Sequence, residues 1–103
     1  HPASVDSIPS SANQEDHVSM GSIGARHARE IVANATRVLA VELLCASQAM
    51  DLRGLVPGAR TAAAKALLRA RVPMLVEDRE LDSDIELAAD LIRSGALLAV
   101  LQD

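Results

Sequence analysis

The residues in this chain that could do chemistry crowd into one stretch, Ser10-Ser11-Ala12-Asn13-Gln14-Glu15-Asp16-His17-Val18-Ser19-Met20-Gly21. Ser11 with Gln14 three residues on fits a capping box, so a helix should open here, with Glu15 in its first turn. The dipole of that helix favours a negative charge and keeps the Glu15 carboxylate ionised at neutral pH, ready to accept a hydrogen bond or pair with a cation. The plainer role for Glu15 and Gln14 is to complete the N-terminal cap. Asn13, Asp16 and Ser19 suit side-chain to backbone bonds that shape the helix start. His17 invites a metal or catalytic role, but Met20 and Gly21 occupy the positions where a second ligand would be needed. His27 falls well off its face and no zinc signature exists, so His17 reads as structural.

Outside this stretch the candidates are fewer. Arg26 and Arg29 could hold an anion, yet Arg26 lies four residues before Glu30 and fits a solvated or inter-helix ion-pair face. Glu42 interrupts the most apolar part of the chain, where a buried carboxylate would need a partner such as an arginine from a neighbouring helix. Cys45 reads as a small core residue.

The element that must position Glu15 is one very long helix. His1 to Pro9 is an extended lead-in, because Pro2 and Pro9 disfavour helix at the residues before them. From the capping box no proline appears until Pro57. Gly21 and Gly24 weaken the first turns and leave room for a kink or a close backbone approach. Beyond Ala25, Ile31, Ala35, Val38, Cys45, Ala49 and Leu52 recur at three-, four- or seven-residue spacing, opposite Arg26, Arg29, Glu30, Asn34 and Arg37. Between Val38 and Met50 only Glu42, Ser47 and Gln48 are polar, and a helix apolar all round is buried all round.

Asn13 to Leu52 is 40 residues, hence about 60 Å of helix. A compact domain of this size has a radius of gyration of about 13 Å, so the 51 residues that follow cannot wrap the helix. Other subunits, further polypeptide, or both must cover it.

Gly54 to Gly58, with Pro57, forms a stop, Gly54 being suited to a left-handed cap. Thr61 to about Val72 is a second helix ending near Pro73. Met74-Leu75-Val76 is an apolar tether before Glu77-Asp78-Arg79-Glu80. Ser83 with Glu86 makes a second capping box, and Ile85, Ala88, Leu91 and Ile92 give a third helix its buried stripe. Ser94-Gly95 ends it, and Ala96 to Leu101 adds a last apolar turn or two. The fold class is therefore all-α: one very long helix followed by two or three short ones, packing into a larger oligomeric helical bundle. Its parts are 1–12 (lead-in), 13–53 (long helix) and 54–103 (short-helix region), all within one larger domain.

Composition agrees and removes several function classes. Half of the 103 residues are hydrophobic, with no Phe, Tyr or Trp, and small aliphatic side chains suit helix packing better than sheet. No phenol is present to act as a base. The net charge of −4, with both signs interspersed, leaves no basic footprint for nucleic acid. A single cysteine excludes an internal disulfide and suits a reducing cytoplasm. No signal peptide is visible, and the Val38–Ala49 run, broken by Glu42, is too short to span a bilayer.

The run Ser11-Ala12-Asn13-Gln14-Glu15-Asp16-His17-Val18-Ser19-Met20, preceded by Ala3-Ser4-Val5-Asp6-Ser7-Ile8-Pro9, resembles the late active-site segment of the histidine ammonia-lyase family. That family is grouped with the phenylalanine and tyrosine ammonia-lyases and the aromatic aminomutases. The likeness continues through Val38-Leu39-Ala40-Val41-Glu42 and Asp51-Leu52-Arg53 and, more loosely, to the C-terminus. It covers nearly all of the chain but only the C-terminal part of such an enzyme.

The resemblance implies that Glu15 is catalytic and substrate-binding, holding the substrate imidazole and taking part in proton handling. It places Gln14 against the substrate carboxylate and cofactor. Phenylalanine enzymes typically carry glutamine where Glu15 stands, in keeping with a phenyl ring's lack of a donor. The family uses a methylidene-imidazolone formed from an internal Ala-Ser-Gly, and a tyrosine base. Neither is here, since Ala46-Ser47 is followed by Gln48, so the chain alone is expected to be inactive and to carry no cofactor or metal. The implied whole is a homotetramer converting L-histidine to trans-urocanate and ammonia, this chain being its C-terminal piece or one chain of a split enzyme. Two other readings stand beside it: a tyrosine or phenylalanine lyase or aminomutase of the same family, and a non-enzymatic helical oligomerisation module.

Overall fold

The computed structural model describes the backbone from Asn13 to Gln102 and the side chains from Gly21 to Gln102. Its described elements are four helices: α1 (Asn13–Arg53), α2 (Ala59–Arg69), α3 (Asp82–Arg93) and α4 (Ala96–Gln102). No strand occurs among the described residues. The chain separates into two compact units, residues 1–35 and 36–103.

The first unit holds the start of α1, which stays helical through Gly21 and Gly24. Among the described residues, a Cβ at either glycine would meet nothing within 4 Å, so neither marks a close approach there. Arg26, Arg29, Glu30 and Ile31 are exposed. The lead-in and the Ser11–Gln14 capping box lie outside the described residues.

The second unit is built around a small core of Ala40 from α1, Leu68 and Val72 at the end of α2, and Ala88, Ala89 and Leu91 from α3. Leu43, Leu44, Ile85, Ile92 and Ala96 pack around it. The short α4 closes the cluster by packing against α2 and α3. Alanine stands at three of the six buried positions, and small side chains of this kind permit close helix packing.

The face that α1 buries here is Thr36, Ala40 and Ser47, joined by half-buried Leu43, Leu44, Gln48 and Asp51. It is a different stripe from Val38, Cys45, Ala49 and Leu52, all of which are exposed. The helical period is as expected, but those apolar residues stay exposed, with Cys45, Ala49 and Leu52 on an open groove rather than in the core. Cys45 is accordingly not a core residue of this chain. Glu42 is exposed as well, with no ion pair among the described residues.

The end of α1 follows from glycine chemistry. Gly54 has φ +63°, the Leu55 amide donates to the Met50 carbonyl at 3.1 Å and the Gly54 amide to Asp51 at 3.3 Å. This is the Schellman arrangement, in which a left-handed residue lets the last carbonyls find donors. A Cβ at Gly54 would meet nothing within 4 Å, so only backbone strain opposes a side chain. Gly54→Ala should therefore destabilise by about 1 kcal/mol, read as a lower urea midpoint at unchanged slope. No change would mean that α1 ends differently.

The other boundaries shift by one to three residues. α2 begins earlier than Thr61, after Gly58, and ends at Arg69, because the Arg71 and Val72 amides turn back to the Leu68 carbonyl. α3 starts at Asp82 with Leu81 as N-cap and no side-chain cap bond. The Ser83–Glu86 capping box is therefore not formed. The Ile85 amide bonds the Leu81 carbonyl at 2.9 Å, which carries the helix past Ser83. Asp82 and Asp84 supply negative charge to the first turn instead.

Candidate functional site

The segment that carries Gln14 and Glu15 is helical from Asn13 onward, so both fall in the first turn of α1. In that turn backbone amides lack intrahelical acceptors and the dipole presents partial positive charge. A carboxylate there is favoured in its charged form. The side chains of Gln14, Glu15, Asp16 and His17 lie outside the described residues. What the fold supplies is their place at the N-terminal end of α1.

The polar side chains described in the second unit serve the structure. Asp51, near the end of α1, is bridged by two cations from α2. Arg69 donates through Nε at 3.0 Å and Nη2 at 2.7 Å to one carboxylate oxygen, and Lys65 pairs with the other. Arg69 also donates to the Val72 carbonyl at 3.1 Å. The hydrogen bond from Lys65, and then that from Arg69, hold the Asp51 carboxyl below the usual carboxylate range.

The sign for stability follows. A depressed folded pKa stabilises the folded state above the ordinary carboxylate range and loses that contribution as the pH falls through the folded value. Asp51→Asn should thus lower the melting temperature at neutral pH, and the gap to the unmodified protein should close in acid. A gap independent of pH would deny Asp51 its electrostatic role.

The connection from Val72 to Leu81 lacks regular structure, so its backbone groups find side-chain partners. The Gln48 amide donates to the Leu75 carbonyl at 2.8 Å and accepts from the Leu75 amide at 3.0 Å. Arg79 donates to the Pro73 carbonyl at 2.6 Å and to Asp84 at 2.9 Å. Buried polar groups need such partners, and a Gln amide can imitate a strand edge. Between α1 and this connection lies an apolar groove of about 330 Å³, walled mainly by Val41, Leu44, Leu52, Leu75, Leu81 and Ile85. Its lining has no set of side chains arranged for acid–base or nucleophilic work.

Among the described residues no group of His, Cys, Asp or Glu could hold a metal ion. Among the described residues, no helix is long and apolar enough to cross a membrane. Gln48 and Asp51 were visible in the sequence only as an interruption of the apolar run and as part of Asp51-Leu52-Arg53. Their partners lie far along the chain, Leu75 at 27 residues and Arg69 at 18, so no local pattern could reveal them.

Comparison with known proteins places the chain as a whole. A family model described as aromatic amino acid lyase matches residues 1–70. The chain is 61% identical to a histidine ammonia-lyase of Natranaerobius thermophilus, over 99% of this chain and 20% of that protein. It is 60% identical to a histidine ammonia-lyase of Caldanaerobacter subterraneus subsp. tengcongensis, over all of this chain and 20% of that protein. Its fold matches the crystal structure of a tyrosine aminomutase from Streptomyces globisporus with a TM-score of 0.83 and 42% identity, over 98% of this chain and 20% of that one. The chain thus spans about a fifth of the length of the relatives it matches.

Proposed function

Because the chain belongs to the aromatic amino acid lyase family, we propose that it supplies the C-terminal portion of a histidine ammonia-lyase, which eliminates ammonia from L-histidine to give trans-urocanate. The observation that carries this reading is the overall identity of 60–61% to histidine ammonia-lyases, matched over nearly the whole chain.

In this proposal Glu15 is the catalytic and substrate-binding residue. Its carboxylate, kept ionised by the helix N-terminus, accepts from the imidazole N–H or pairs with imidazolium. Gln14 lines the substrate carboxylate. The lead-in 1–12, the long helix 13–53 and the short-helix region 54–103 belong to one larger lyase domain.

The methylidene-imidazolone of such enzymes supplies the electrophile that draws off the amino group. The residues present here cannot form it, for the chain has no Ala-Ser-Gly, and no tyrosine is present to serve as the base. Group and base would both reside on polypeptide beyond these 103 residues. The exposed apolar side of α1 supports assembly into a homo-oligomer, a tetramer in this reading, working in the cytoplasm without nucleic acid or membrane.

The likeness to the tyrosine aminomutase structure favours a second reading, a tyrosine or phenylalanine lyase or aminomutase. The full-length protein should be given L-histidine, L-tyrosine and L-phenylalanine in turn, with cinnamate-type products, urocanate and β-amino acids all quantified. Urocanate and ammonia from histidine are expected; a β-amino acid or an aryl acrylate from tyrosine or phenylalanine as the main product would overturn the assignment.

A further inference from the structure

We draw no further inference here: the strongest candidate, the apolar groove walled by Val41, Leu44, Leu52, Leu75 and Ile85 between α1 and the 72–81 connection, is an unpartnered face, and nothing in the structure shows what covers it.

Discussion

Glu15→Gln in the full-length protein should cut histidine turnover by on the order of 10²–10⁴-fold, the usual contribution of a positioned acid–base group, while leaving the sedimentation profile unchanged. The substitution keeps size and one acceptor oxygen but removes the charge. A neutral amide cannot pair with imidazolium, and its NH₂ presents a donor where the imidazole N–H needs an acceptor. The change is gentle to the fold, because Glu15 occupies the first turn of α1, where loss of a dipole-facing charge costs about 0.3–1 kcal/mol. Activity and assembly should therefore part company. Unchanged kinetics would remove Glu15 from the site, and a joint loss of activity and assembly would make it a structural cap.

The second large effect concerns the chain by itself. The purified 103-residue polypeptide should turn over no histidine and should sediment as a broad, aggregating distribution. Supplying the missing part of the enzyme should restore a discrete oligomer. The reason is exposed apolar surface. Val38 is 60% exposed, Leu52 69%, Val56 95% and Val76 83%, beside an open groove with an apolar lining. Against this stands, among the described residues, a core of six buried hydrophobic residues. Surface of that kind is a contact face waiting for cover or a liability for aggregation. A discrete, stable oligomer formed by the isolated chain would instead favour a non-enzymatic helical module.

The features legible in the sequence were those with local causes. Gly54 ends α1 because a left-handed residue was needed after a long helical run, and Gly95, at φ +82°, follows α3 in the same way. The stripe Ile85, Ala88, Leu91 and Ile92 was readable from period alone and does face the core. The exposure of Cys45 and Glu42 within this chain was not readable, because periodicity says that a face is apolar without saying which polypeptide covers it. The α3 start was misplaced by two residues because Ser83 offers a good cap in isolation, whereas the fold continues the helix back to Asp82 with Leu81 as its cap. The Asp51–Arg69 and Gln48–Leu75 links depend on how α1 meets α2 and the 72–81 connection, which no local spacing encodes.

The candidate site was legible for a different reason. Composition and spacing alone made Glu15 an ordinary capping residue, and only its neighbours, read together as a resemblance, gave it a task. Helix formation from Asn13 agrees with both roles. Separating them requires substrate in view.

The most direct measurement is a crystal structure of the full-length protein with an unreactive histidine analogue bound. The account predicts a Glu15 carboxylate oxygen about 3 Å from an imidazole nitrogen. A Glu15 side chain directed into bulk water, with the imidazole held by other groups, would contradict it.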